Sequence, residues 1–279
     1  MREAHCRVLF HSIDAQDVCR VVVEPTSCPV YVKEADTARY FPAHTPRALL
    51  GGAMQDPSSS RYVPALRFDW LTRYYDVVVG ATTRERVFKR ALIDQADVRP
   101  RHRVLDLAAG TGTLAIQIKQ RQPLADIRGV DGDPAILKIA VAKGRRANVD
   151  VPFDQGLSYQ LPYVSETFDR VVSSLFFHHL DWEDKRRTAQ ECLRVLKPGA
   201  QLHVADWGRP TNFLQRALFL LVQLLDGYRN TQDNASGRLI ELFEQTGFCD
   251  VSQQQTFSTI LGTVALYRAV KPGLGRPEG

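Results

Sequence analysis

From Thr82 onward the hydrophobic positions alternate between helical and extended spacing in regular succession. Thr82 and Glu85 stand at capping-box spacing, and Val87, Phe88, Ala91 and Leu92 fall on one helical face, which predicts a helix from about Arg84 to Gln95. The strand-like run Arg103 to Ala108 is followed by a glycine turn and by a helix carrying Leu114, Ile116 and Ile118. A second strand, Asp126 to Gly132, leads to Asp133 as N-cap and Pro134 at the first helical position, and that helix carries Ile136, Leu137, Ile139 and Ala140. A short third strand (VPFDQGLS), a fourth (FDRVVSSLF), a helix from Asp181 that stops at Lys197-Pro198-Gly199 and a fifth strand (GAQLHVADW) continue the pattern. Helices around Phe213 to Leu225 and Ser236 to Thr246, the latter closed by Gly247, precede two final strands, DVSQQQTFST and GTVALYRAV. Strands alternating with helices and ending in a hairpin-like pair predict an α/β fold, with an open, mostly parallel sheet covered on both faces. Ligands on such sheets bind at the carboxyl ends of the strands.

The first 60 residues lack this regularity. They hold β-branched runs at Val21 to Val23 and Val30 to Val32, broken by Pro25, Pro29, Pro42 and Pro46, and end in GGAMQDPSSS. A strand-rich extension and a poorly ordered leader both fit; the clustered Pro, Gly and Ser favour the leader. The expected organisation is therefore an N-terminal extension over 1–60, one domain over 61–271 and a tail over 272–279.

Composition changes this picture little. Of 279 residues, 44% are hydrophobic and 24% charged, as in an ordinary globular protein. The net charge of +5 is too small to demand a nucleic-acid partner. Five cysteines with no C-x-x-C pair signal neither a zinc site nor a paired disulfide framework, so no metal is expected and a reducing, cytoplasmic setting fits. No stretch reaches the roughly 20 apolar residues of a membrane span, because Gln215, Arg216 and Gln223 interrupt the most apolar segment. That segment fits a core helix, a dimer contact or a cover over a hydrophobic substrate, so monomer and homodimer both stay open.

Chemistry concentrates in VLDLAAGTGTLAI, Val104 to Ile116. Small residues between a strand and a helix let the backbone turn tightly and approach a ligand. Nineteen residues after Gly112, Asp131 ends the second strand, where a carboxylate can accept both hydroxyl hydrogens of a ribose. Together the two features suit a nucleoside cofactor.

These residues resemble the class I S-adenosylmethionine-dependent methyltransferases, of the large group related to the ubiquinone and menaquinone C-methyltransferases. The family pattern D-x-G-x-G-x-G stands here as Asp106-Leu107-Ala108-Ala109-Gly110-Thr111-Gly112, with alanine at the first glycine. GVDGDPAIL, GLSYQLPY, FDRVVSSLFFHHL and LRVLKPGAQLHVADW follow in the family's order, so the likeness covers roughly Tyr75 to Val270. It implies a Rossmann-like doubly wound sheet of seven strands in the order 3-2-1-4-5-7-6, the last antiparallel. It implies S-adenosyl-L-methionine as cofactor and in-line methyl transfer to a small-molecule acceptor. Asp106, Ala108, Gly110, Thr111 and Gly112 would form the cofactor turn, with Thr111 at the methionine end. Asp131 would hold the ribose, and Gly132 and Asp133 would flank adenine. Leu157 and Ser158 stand where the family often has Asp or Asn followed by Ala, so backbone groups or Asp154 would have to meet the exocyclic amine. Ser174 would face the methionine portion, and Tyr75, in a Tyr-Asp pair before the core, would line the pocket or staple the first helix.

Because a sulfonium is already activated, the protein contributes alignment and exclusion of water, and a base only if the nucleophile must lose a proton. His178 and His179 follow the fourth strand at the expected mouth and are the candidate catalytic residues, with His179 preferred; ordinary hydrogen-bonding histidines are the alternative. Asp206 and Trp207 point to the same mouth without an assigned task. Three other functions compete with this one. A nicotinamide-dependent oxidoreductase would need a third glycine where Ala115 stands. A nucleic-acid methyltransferase is encouraged by an isoelectric point near 9.0 but finds Ser173-Ser174-Leu175-Phe176 in place of an N-P-P-Y motif. A binding protein that lost its chemistry is the third.

Overall fold

The computed structural model describes residues 84–210, 213–226 and 228–273. The expected extension over 1–60, Tyr75 and the tail from 274 on lie outside these residues. In chain order the elements are α1 (Glu85–Ala96), β1 (Arg103–Leu107), α2 (Thr113–Arg121), β2 (Asp126–Asp131), α3 (Pro134–Arg146), β3 (Phe153–Gln155) and β4 (Phe168–Ser174). A 3-10 turn (Phe177–His179), α4 (Trp182–Val195), β5 (Leu196–Trp207), α5 (Phe213–Asp226), α6 (Tyr228–Ala235), α7 (Leu239–Thr246), β6 (Cys249–Ser258) and β7 (Thr263–Val270) follow. The seven strands lie in the order β3-β2-β1-β4-β5-β7-β6, with β7 antiparallel to both of its neighbours and the other pairs parallel. This is the order and strand sense that the family resemblance implies.

Alternate residues of the central strands feed two separate cores, as the strand period of two requires. Leu105, Leu107, Val171, Val204 and Tyr267 join Phe177 and Phe243 in one; Val104, Val172, Ala205 and Leu266 join Phe88, Ile118 and Phe219 in the other. Each fully buried side chain of this size contributes about 1.5 to 3 kcal/mol. The central strands thus bury apolar side chains on both faces, and Asp106, Asp131, Ser173, Ser174 and Asp206 lie near their carboxyl ends.

Several local expectations are corrected. The first helix has Arg84 as N-cap, in a left-handed conformation without a side-chain cap, and Glu85 pairs with Lys89; Thr82, the other half of the expected capping box, lies outside the described residues. Val87 and Ile139, expected on buried faces, are exposed, while Phe88, Leu92, Leu137 and Ala140 are buried. Lys197-Pro198-Gly199 lies inside β5 and does not separate helix from strand. Leu196 caps α4 and already pairs with Phe168, and the register then jumps to Arg170 against Gln201, so the proline sits in a bulge where no ladder donor is needed. The helix expected from Ser236 begins at Leu239, after a separate helix, α6, that the hydrophobic pattern does not announce.

Candidate active site

The registers Leu107↔Val130, Leu107↔Ser173 and Ser174↔Ala205 bring the carboxyl ends of β1, β2, β4 and β5 to one edge of the sheet. The turn after β1 is built from left-handed residues: Ala108 (φ 54°), Gly110 (φ 53°) and Gly112 (φ 74°). The two glycines serve different ends. A Cβ on Gly112 would stand 2.6 Å from the Phe153 ring, so this glycine is set by packing against β3. A Cβ on Gly110 would meet nothing within 4 Å, so the bareness there lies toward open space, as a cradle for a ligand requires. Ala108 holds the left-handed conformation in place of the family's glycine, at a cost of roughly 1 to 2 kcal/mol.

Asp131 closes the opposite side of that cradle. One carboxylate oxygen accepts from the Gly110 amide at 2.9 Å and the other from the Asp133 amide at 3.0 Å. Burial pushes its pKa up against the pull of these amides. Asp133 spends its own side chain on the Ala135 amide as the N-cap of α3, and Gly132 links the two acids. Asp106, by contrast, is turned away from the edge: it is buried, and its carboxylate accepts from the Ala115 amide in α2 at 3.0 Å. Burial raises its pKa to about 7 despite Lys89 and the Ala115 amide. Its contribution is to tie β1 to α2 and so shape the turn.

The ammonium of Lys143 donates to the Thr111 hydroxyl at 3.2 Å and to the Thr113 hydroxyl at 2.6 Å. Lys143, from α3, carried no signal in the sequence because its partners are about 30 residues away. Leu157 forms an isolated bridge with Gln160, and Ser158 faces α4 through the Thr188 hydroxyl at 2.9 Å. Asp154, the suggested substitute at adenine, accepts from Tyr163 at 2.9 Å and pairs with Arg128 at 3.4 Å through the same carboxylate oxygen. Ser173 and Ser174 divide their roles. Ser173 is buried and donates to the Leu107 carbonyl at 3.1 Å, whereas the buried Ser174 hydroxyl has no protein partner.

The two histidines lie in the 3-10 turn that follows β4, their rings 4.0 Å apart. His178 is buried, and its Nδ1 lies 2.7 Å from the Asp206 carboxylate at the end of β5. That carboxylate also accepts from the Phe176 and Trp207 amides. Burial presses its pKa upward, but the His178 charge and hydrogen bond, with the Trp207 amide, hold it below the ordinary carboxylate range. His179 is pushed down to about 3, by burial first and then by the His178 and Lys185 charges, with Asp206 opposing. It is therefore neutral at pH 7 and a poor proton acceptor. The Asp206–His178 contact spans 28 residues and joins the ends of two strands, so only the strand order reveals it.

Above this end of the sheet, Lys185 of α4, without exposed surface, donates to the Leu180 carbonyl at 2.9 Å and the Asn230 carbonyl at 2.5 Å, and pairs with Asp233 at 3.5 Å. Burial lowers its pKa, while Asp233 and Asp206 sustain its charge. Asn230 donates to the His179 carbonyl at 2.9 Å. Helix α6 is thus held to α4 and to the histidine turn by polar contacts. No helix among the described residues is long and apolar enough to cross a membrane.

The protein is similar to known methyltransferases over most of its length. A model of the family described as a methyltransferase domain matches residues 104–199. The demethylmenaquinone methyltransferase of Paenarthrobacter aurescens is 31% identical over 231 residues, covering 75% of this chain and 86% of that protein. The ubiquinone/menaquinone biosynthesis C-methyltransferase of Syntrophotalea carbinolica is 28% identical over 228 residues, covering 76% and 91%. In fold, the chain is similar to Haemonchus contortus phosphoethanolamine N-methyltransferase 2, solved with S-adenosyl-L-methionine: TM-score 0.59 at 17% identity, covering 74% of this chain and 57% of that one. With the expected strand order and these relatives in agreement, the chain belongs to the class I S-adenosylmethionine-dependent methyltransferases, in the large group related to the ubiquinone and menaquinone C-methyltransferases.

Proposed function

We propose that this methyltransferase acts on a small, largely apolar acceptor bearing phenolic oxygens, a demethylated quinol being the first to test. The acceptor class follows the names of the relatives, demethylmenaquinone methyltransferases among them. The observation that carries the cofactor half is the Asp131–Gly110 hydrogen bond, which joins the carboxylate of β2 to the bare turn of β1 as one cradle. Asp131 and the turn backbone at Ala108, Gly110 and Thr111 would hold the sugar and amino-acid portions, Gly112 and Asp106 would set the turn, and Gly132, Asp133, Leu157 and Ser158 would border adenine. The unpartnered Ser174 hydroxyl supports a polar contact at the methionine end. When bound, S-adenosylmethionine supplies a methyl group on a positively charged sulfur.

The chain's own residues then need only align the acceptor, exclude water and take its proton. Of the two histidines, His178 is better suited to take it, which reverses the preference drawn from the sequence. Its Nδ1 hydrogen is directed at Asp206, and the carboxylate would stabilise an imidazolium formed on that ring, as in other His–Asp pairs. His179 is too weak a base. The balance is simple: the acceptor loses a proton to His178 and gains a methyl as the sulfur keeps the bonding electrons. We place this work in the cytoplasm.

The test is transfer of labelled methyl from S-adenosylmethionine to reduced 1,4-naphthoquinone, alongside thermal protection by the demethylated cofactor. Product methylated on the ring or on oxygen is expected. Protection by the cofactor without transfer to any phenolic acceptor would remove the acceptor assignment and leave the cofactor cradle standing.

A further inference from the structure

The clearest chemistry not used above lies in α6. Asn234 has no exposed surface, and neither the nitrogen nor the oxygen of its amide has a protein partner. An amide offers two donor hydrogens and two acceptor lone pairs, and leaving all of them unmet in an interior is costly. The helix cannot relieve this by shifting. One turn earlier on the same face, Asn230 is tied to the His179 carbonyl, its backbone carbonyl is held by Lys185, and the adjoining Asp233 pairs with Lys185 and with Arg238 at 2.8 Å. Helix α6, which carries Asn234, packs against the histidine turn and β5, and Arg209, just past the carboxyl end of β5, donates to the Ser236 carbonyl beyond the helix. At that same end the Tyr267 hydroxyl, next to Gly208, is also buried without a protein partner.

We infer that Asn234 is a specificity-determining residue of the acceptor site, whose amide receives a hydroxyl group on a planar phenolic or quinol-type molecule. A hydroxyl both accepts and donates, which matches an amide whose two ends are unmet; a charged substituent would call for a charged partner, and Asp206 and Lys185 are already paired. The inference rests on the small-acceptor reading and narrows it: the acceptor is recognised by an oxygen other than through the cofactor cradle. The rival occupant is a structural water bridging the amide to the backbone.

Equilibrium binding and melting separate these. Titrate 1,4-naphthohydroquinone and its dimethyl ether, 1,4-dimethoxynaphthalene, into the full chain saturated with S-adenosylhomocysteine, using the wild type and Asn234→Leu. The wild type should prefer the hydroquinone. The Leu variant should bind it about ten- to a hundredfold more weakly, lose the preference over the ether, and keep its affinity for S-adenosylhomocysteine within about twofold. Because an unmet buried amide is replaced by an apolar group of similar size, the ligand-free variant should melt about 2 to 6 °C higher. A lower melting point together with unchanged hydroquinone binding would identify a structural amide and overturn the inference. Unchanged preference for the hydroquinone over its ether would overturn it by itself while leaving the acceptor reading intact. No hydroquinone binding by the wild type would overturn both. Should Asn234→Leu not fold, Asn234→Ala read for the same preference decides the question.

Discussion

Replacing Asp106 by Asn isolates the energetic effect of one buried carboxyl group. The amide oxygen can still accept from the Ala115 amide, so the turn keeps its anchor while the titrating proton disappears. In the native chain burial raises this pKa from 3.8 to about 7. A raised folded pKa means that the native state holds the proton more tightly than the unfolded one. Its stabilising effect is thus complete below pH 3.8 and is lost as pH rises toward 7. At about 1.4 kcal/mol per pH unit, the loss amounts to about 4 kcal/mol over that window, and about 3 kcal/mol between pH 5 and 7. The assay is urea unfolding of both chains at half-unit steps from pH 5 to 8. The Asp106→Asn chain should gain on the wild type by about 3 kcal/mol up to pH 7, after which the two curves should run parallel. Affinity for S-adenosylmethionine should change little, since this carboxyl group shapes the turn from behind. Stability curves that stay parallel from pH 5 would refute the reasoning, and a large loss of cofactor affinity would place Asp106 in the cradle itself.

Asp131→Asn should weaken S-adenosylmethionine binding about ten- to a hundredfold, because an amide can satisfy only one of the Gly110 and Asp133 hydrogens and turns a donor against the other; calorimetric titration reads it. The glycine pair predicts a split: Gly112→Ala should cost about 1 to 3 kcal/mol of stability through its clash with Phe153, whereas Gly110→Ala, strained but unobstructed, should lose cofactor affinity more than melting temperature. His178→Asn keeps a hydrogen-bond donor toward Asp206 but no basic nitrogen, so kcat should fall about 10² to 10⁴-fold with cofactor affinity intact; a near wild-type rate would make His178 purely structural. Asp206→Asn should lower kcat with cofactor affinity intact, because the His178 ring loses the carboxylate that orients its Nδ1 hydrogen; turnover measured beside calorimetric titration of the cofactor reads it.

How much of this was readable from the residues depended on how local the cause was. The Asp133-Pro134 entry to α3 and the Gly247 exit from α7 came through because caps act within one turn. The β1–α2 unit was legible because its strand and helix periods differ. Helix α6 was not: YRNTQDNA has no apolar stripe, and it is held by Lys185 and by asparagines, which are poor helix signals. Pro198 misled because a bulge in β5 absorbs it. In the site, the order of Asp131 and the glycine turn was explicit, while the engagement of Asp154 by Tyr163 and the pairing of His178 with Asp206 depend on strands meeting in space.

The ammonium of Lys185 also limits how the enzyme can move. Because it grips the carbonyls of two different segments and a carboxylate from inside the protein, lifting α6 would take the Asn230 carbonyl and the Asp233 carboxylate away from a buried positive charge, a penalty of several kcal/mol. This wall of the enzyme is therefore bolted, not hinged. Selectivity at this wall should depend on which side chains α6 holds in place more than on any closing motion of that helix.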